Sequence, residues 1–254
     1  MATKVSPLQN KLVPVLVVLL IVASFLIGSL YTQVSMLKGG TGIGGANKGG
    51  VANNPPTNPT EAAPVGNTSN PVDVDITGAP VLGSKDAKVA LVEFTDYQCP
   101  FCGQLFTNTF PQIKKDYIDT GKIKYIVRDF PLTQIHPYAQ KSAEAANCAL
   151  EQNKFWEYHD TLFKNQTALL PDNLKQYAGT LGLNANQFNS CLESAKMADK
   201  ISKSLSDGAK YGVNGTPASF VGVSSGNTVK GVLISGAQPF DAFKTAIETA
   251  LKQG

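Results

Sequence analysis

Two cysteines separated by only Pro100 and Phe101, Cys99 and Cys102, stand where a strand-like run gives way to a helix-like one. Val89 to Thr95 is mostly apolar and short, the pattern of a strand buried on both faces. Gly103-Gln104-Leu105-Phe106 begins a helical pattern that runs from about Cys99 to Thr120 and is closed by Gly121. A thiol at the first turn of a helix faces unpaired N–H groups and the positive end of the macrodipole. Both favour the thiolate, the reactive form of cysteine. A second thiol one turn further on lies within reach of the first sulfur. The chain therefore has to build a strand–turn–helix junction that carries a redox switch.

The surrounding pattern extends that junction. Val72 to Ile76 alternates apolar and polar residues, as an edge strand does. Ile123 to Asp129 reads as a second strand, parallel to the first because a crossover helix separates them. Residues 136–211 read as helix throughout. Their apolar faces run through Ala143, Ala146, Ala149 and Leu150, then Phe155, Trp156, Leu162 and Phe163, and end at Ile201, Leu205 and Ala209. Asp172 and Asn184 have the chemistry of N-caps, and Gly182 that of a C′ residue. Ala218–Val223 and Val229–Ser235 flank a Ser-Ser-Gly-Asn hairpin signal, and a last helix spans about Phe240 to Lys252. The order is βαβ, a helical insertion, then ββα: an α/β chain. Phe94, Phe220 and Phe240 read as core.

The front of the chain is different. Residues 12–31 form a nearly uninterrupted apolar run without charge. At 1.5 Å per residue it reaches about 30 Å, the thickness of a hydrocarbon core. A retained anchor is preferred to a cleaved signal peptide, since the run is long for an h-region and no A-x-A site follows. Residues 1–11 are then cytoplasmic and the C-terminal part extracytoplasmic. The flanking lysines Lys4, Lys11, Lys38 and Lys48 give only a weak positive-inside bias. Residues 32–71 lack large apolar side chains beyond Lys38 and read as a flexible linker with an end-to-end distance of about 30 Å. The net charge of +3, without a basic stripe, argues against nucleic acid as a partner.

The order of elements, with CPFC at the first strand–helix junction, resembles the thioredoxin fold with an inserted helical domain. That is the architecture of the DsbA family of thiol–disulfide oxidoreductases, including its membrane-anchored, BdbD-type members. The resemblance covers residues 72–254 and rests on three segments. Val92-Glu93-Phe94-Thr95-Asp96-Tyr97-Gln98 leads into the cysteine pair, and Val213-Asn214-Gly215-Thr216-Pro217-Ala218 resembles the family's cis-proline loop. Ala146-Asn147-Cys148-Ala149 with Phe155-Trp156-Glu157-Tyr158-His159-Asp160 resembles its helical insertion.

The resemblance implies roles for these residues. Cys99 is the exposed nucleophile, and Cys102 the buried partner that recloses the disulfide. Pro100 fixes φ at the helix start at the expense of an N–H that has no partner there anyway. Phe101 departs from the histidine of the most oxidising family members and implies a less oxidising pair. Pro217 is the cis-proline facing the pair, and Thr216 contacts substrate and Cys99. Glu93 is either an acid beneath the pair that takes the Cys102 proton or an outward-facing strand residue. Apart from the resemblance, Cys148 and Cys191 in the helical insertion are expected to pair as a structural disulfide, with two buried free thiols as the alternative. Closing such a loop is worth about 4 kcal/mol in the chain-entropy model. His136 reads as a cap of the first insertion helix, and Trp156 and His159 as packing residues. A metal role for the CxxC pair is disfavoured, because only His136, His159 and two distant cysteines could complete a site. No cofactor is expected beyond the Cys99–Cys102 disulfide itself.

The function implied is transfer of that disulfide to reduced exported or cell-envelope proteins. A monomer is expected, reoxidised by a membrane partner of the DsbB or VKOR type. The alternatives are a disulfide reductase or isomerase, and a redox-inactive metal-binding or chaperone module on the same fold.

Overall fold

The computed structural model describes residues 70–254. The expected cytoplasmic N-terminus, the anchor at 12–31 and nearly all of the linker lie outside the described residues. Among the described residues, no helix is long and apolar enough to cross a membrane.

A six-stranded mixed sheet carries the fold, in the order β1-β6-β5-β3-β4-β2. Its strands are β1 (Val72–Asp75), β2 (Val81–Gly83), β3 (Val89–Thr95), β4 (Ile123–Asp129), β5 (Ala218–Ser225) and β6 (Thr228–Ser235). β3 and β4 pair in parallel, with Glu93 opposite Val127 and Thr95 opposite Asp129. β5 pairs antiparallel with β3 and β6, and β1 and β2 form antiparallel edges. β3 is buried along its whole length. Its side chains alternate between two cores: Val89 and Leu91 in one, Ala90, Val92 and Phe94 in the other. This is why the strand reads as a continuous apolar run rather than an alternating one.

The crossover after β3 spans residues 100–118 and is treated as one helix, α1. It is not uniformly α-helical. Pro100–Gln104 and Phe110–Ile113 are α-helical, while Leu105–Thr109 and Lys114–Ile118 have π geometry. Pro111 has no N–H to give to the carbonyl four residues back. The wider turn just before it is closed by the Phe110 N–H reaching Leu105 O.

The insertion comprises α2 (Ala139–Leu150), α3 (Phe155–Lys164), α4 (Pro171–Thr180), α5 (Ala185–Glu193) and α6 (Ala198–Lys210), and α7 (Phe240–Leu251) ends the domain. Asn184 caps α5, accepting from the Gln187 N–H at 3.0 Å. Gly182 is the C′ residue of α4 at φ 72°, with the Leu183 N–H returning to Ala178 O. Other details differ from the sequence reading. Leu170, not Asp172, is the cap residue of α4, because Pro171 starts the helix and leaves Asp172 in its first turn. Leu205 and Ala209 face solvent; α6 instead turns Ile201, Ser204, Asp207 and Gly208 inward. Gly208 lets the helix approach Phe130 and Phe94 so closely that a Cβ would lie 2.8 Å from the Phe130 ring. Ser204 and Asp207 meet the buried Arg128 guanidinium, each at 3.1 Å. Phe94 and Phe220 are core, but Phe240 is only half-buried. β2 was not anticipated; it is three residues long and pairs along one edge only.

Cys148 on α2 and Cys191 on α5 are joined by a disulfide, with their Cα atoms 5.9 Å apart. The bridge closes a loop over a sequence separation of 43. The double substitution C148A/C191A is expected to lower unfolding free energy by about 4 kcal/mol, measured by urea denaturation. A loss below about 1 kcal/mol would mean that the loop is already constrained in the unfolded chain.

Candidate active site

β3 ends at Thr95, and the chain turns through Asp96 to Gln98 before α1 begins. Asp96 is fully enclosed and organises this turn. Its Oδ1 accepts the Gln98 N–H at 2.8 Å; its Oδ2 accepts the Leu132 N–H at 2.9 Å and meets His136 Nδ1 at 2.8 Å. His136 therefore does not cap α2, whose cap residue is Tyr138. It ties the loop after β4 to the turn before the cysteines.

Cys99 is the N-cap residue of α1, with Pro100 at the first helical position. The sequence reading made its sulfur exposed, yet Cys99 is only 3% accessible. Two elements distant in sequence cover it. Thr216 brings its carbonyl oxygen to 3.3 Å from the Cys99 Sγ, and the Thr216–Pro217 peptide is cis. From the α3–α4 loop, Gln166 donates through Nε2 to Tyr97 O and Cys99 O, both at 2.9 Å. Gly103 makes room for that clasp, because a Cβ there would overlap Gln166 Oε1. Gln166 was missed in the sequence; nothing local to it signals that it lies against the cysteine turn. Phe101 projects outward at 56% exposure. Ile135, Tyr138 and Leu170, in the loops that hold His136 and Gln166, are also exposed apolar side chains.

The two thiols are unbonded and electrostatically unequal. The Cys99 thiol is lowered to about 5. The largest cause is a hydrogen bond from the Cys102 thiol, followed after an opposing burial cost by the Thr216 side chain and the N–H groups of Cys102 and Phe101. Cys102 is driven well above the usual thiol range, first by burial and then by its bond to Cys99 and the nearby charge of Glu93. Glu93 faces inward: the Tyr125 hydroxyl donates to its Oε2 at 2.6 Å, and burial raises its pKa. Tyr125 was not singled out in the sequence, since only the register of β4 against β3 brings it there. His159 is buried among Phe106, Phe155, Trp156 and Phe163, with ring centroids 4.9–5.9 Å away. Among the described residues, no group of three His, Cys, Asp or Glu side chains is arranged to hold a metal.

The geometry permits thiol–disulfide exchange at Cys99, with an acid buried behind Cys102. It also has a stability signature. A Cys99 pKa lowered by folding stabilises the reduced form fully above the unfolded thiol's pKa of about 8.5, and that contribution is lost as pH falls through the folded value. The melting temperature of the reduced protein relative to the oxidised one should therefore fall as pH drops from about 8 to about 5. A difference independent of pH would contradict the lowered pKa. A second expectation concerns Gln166. G103A should destabilise the native chain by about 1 kcal/mol through displacement of the Gln166 bonds. In a Q166A background the same change should be neutral or stabilising, because alanine is the better helix former. Equal destabilisation in both backgrounds would place the strain elsewhere.

Comparison with known proteins agrees with this geometry. A thioredoxin family profile matches residues 76–249. Oxidised BdbD from Bacillus subtilis superposes with a TM-score of 0.63 at 27% identity, covering 72% of this chain and 99% of that one. Wolbachia pipientis alpha-DsbA1 gives 0.61 at 26% identity, covering 71% and 94%. A Na(+)/H(+) antiporter, NhaA 3 of Salinispora tropica, is 39% identical over 150 residues, which is 59% of this chain. The chain spans only 22% of that antiporter's length, so the likeness is to one segment of it. With the profile covering most of its length and the cysteine pair opposite a cis-proline, the chain belongs to the thioredoxin superfamily as a DsbA-like protein.

Proposed function

We propose that this protein is a thiol–disulfide oxidoreductase that donates the Cys99–Cys102 disulfide to reduced, exported or cell-envelope proteins. The observation that carries the reading is Cys99 at the N-cap of α1 opposite the cis Thr216–Pro217 peptide with Cys102 buried behind it, a placement that lowers Cys99 to about 5 and raises Cys102. A thiol of low pKa is a good leaving group and makes the reduced form the stable one, so its disulfide is an oxidant.

In the forward direction, a substrate thiolate attacks Cys99 Sγ and breaks the Cys99–Cys102 bond. Cys102 leaves as a thiolate and takes a proton from the buried Glu93 acid. A second substrate thiolate then attacks the substrate sulfur of the mixed disulfide and expels the stabilised Cys99 thiolate. The substrate gains a disulfide, and the pair ends reduced. The Thr216 carbonyl beside the cis-Pro217 offers an acceptor for an extended substrate backbone, and exposed Phe101 offers an apolar contact. Reoxidation falls to a membrane quinone-linked partner of the DsbB or VKOR type. A retained anchor at 12–31 would hold the domain on the extracytoplasmic side. No cofactor beyond the disulfide is required by this chemistry. Transport is not carried over from the antiporters, of which the shared segment is so small a part.

The reduction potential of the Cys99–Cys102 couple, measured against glutathione, tests the direction. A value of about −230 mV or higher supports a disulfide donor, moderated by Phe101. A value near −270 mV, that of a reductant such as thioredoxin, would overturn the oxidase and favour the reductase reading.

A further inference from the structure

Exchange at Cys99 obliges Cys102 to gain or lose a proton, yet Cys102 is fully buried and its neighbour Glu93 nearly so. Cys99 is itself only 3% accessible, and in a mixed disulfide the substrate lies over it. The proton needs another way out. Along the face of the sheet that carries Glu93, every second residue points the same way. Towards their C-terminal ends these are Glu93 and Thr95 on β3, after Val89 and Leu91, and Tyr125, Val127 and Asp129 on β4, after Ile123. The parallel register sets Thr95 directly beside Asp129.

This row is polar where a core should be apolar. Thr95 Oγ1, Tyr97 OH, His159 Nε2, Asp129 Oδ1 and Asn147 Oδ1 are buried without a protein hydrogen-bond partner. Buried polar atoms left unpaired are costly, and such a cluster calls for a reason. Thr95 links the two carboxyls by position, two residues after Glu93 on the same face of β3 and beside Asp129 in the register. The Thr95 side chain closes no hydrogen bond in this arrangement, yet it lies near enough to favour the charged forms of both Glu93 and Cys102. Tyr97 feels the charges of both Asp129 and Glu93, and His159 acts on both carboxyls. Asp129 accepts from Asn147 Nδ2 at 2.8 Å through its other oxygen. Beyond it lies a cavity of about 270 Å³ lined by Asp129, Asn147, Lys200 and Arg128, opening past exposed Thr77 and Lys203.

We propose that Asp129 is a proton-relay residue for Cys102: the Glu93 proton crosses to it through water bridging the unpaired Thr95, Tyr97 and His159 atoms and leaves by the cavity beside Asn147 and Lys200. This rests on the thiol-exchange reading above. When the pair closes, the Cys102 thiol gives its proton to Glu93, and its thiolate attacks Cys99 Sγ. The bond from Cys99 to the substrate sulfur breaks, and the substrate leaves as a thiolate. Glu93 then discharges its proton through Asp129 to solvent. Opening of the pair runs the same path backwards. Burial raises Asp129 to about 6, while Asn147, Lys200, Arg128 and His159 pull it down. An acid in that range can both accept and release a proton near neutrality. Asp75 and Lys203 also line the exit, Lys203 and Arg128 pairing with Asp207, and Glu151 acts on Lys200 from the end of α2.

The test follows the two steps by which the reduced protein reacts with oxidised glutathione. Cys99 first forms the mixed disulfide, releasing one glutathione. Cys102 then resolves it, releasing the second. Rapid acid quench and mass spectrometry separate the steps across pH. D129N, and the near-isosteric T95V as a variant that preserves packing, should leave the first step unchanged. Each should slow the second about tenfold or more, and D129N should remove the inflection near pH 6 from its profile. The proposal is overturned if the second step keeps its rate and pH profile in either variant. It is equally overturned if both steps slow together, the mark of a structural defect. A first step that is already slow in the unmodified protein at neutral pH would instead sink the thiol-exchange reading itself.

Discussion

One sulfur at one helix N-terminus organises this domain. Cys99 Sγ meets the first N–H groups of α1 and the Cys102 thiol together. Each supplies positive or hydrogen-bonding character to an otherwise buried atom. Without them, burial would push the thiol up, as it does for Cys102. The sheet exists, in functional terms, to bring these groups to one point. β3 delivers the cysteine turn, β5 delivers Thr216 and Pro217 from its leading end, and the register between the strands fixes their spacing.

The helical insertion does more than cover this point. Gln166 holds the Tyr97 and Cys99 carbonyls, and Asp96 holds the loop that carries His136. These bonds fix the backbone of the turn, so the sulfur's environment is set before substrate arrives. The resulting asymmetry gives the two thiols different work. One is a stable thiolate and a good leaving group; the other is a thiol held protonated behind it, with Glu93 and Tyr125 nearby. A buried acid of raised pKa is useful only if its proton can move, and the polar row from Thr95 to Asp129 gives it a direction.

Much of this could be read from residues alone, and the limits follow a physical pattern. The strand–turn–helix junction, the parallel β3–β4 pair and the Asn184 cap were legible because local chemistry decides them. The thioredoxin-like class was legible because CxxC and Gly-Thr-Pro bracket the insertion at a recognisable spacing. The burial of Cys99 was not, because its covers come from Gln166 and Thr216, far along the chain. Tyr125 and Asp129 read as ordinary strand residues until the register set them beside Glu93 and Thr95. α6 was misread for a related reason. Its inward face carries Ser204, Asp207 and Gly208, chosen for Arg128 and for close approach to Phe130, so hydrophobic periodicity pointed to the wrong side.

Folding turns Cys99 into a thiolate at neutral pH while Cys102 stays protonated. Ultraviolet thiolate absorbance of the reduced protein, titrated from acid to base with a C99S variant as the blank, measures this directly. A single thiolate should appear with a midpoint near pH 5 and be absent from C99S. A midpoint at the ordinary thiol value of about 8.5 would contradict it.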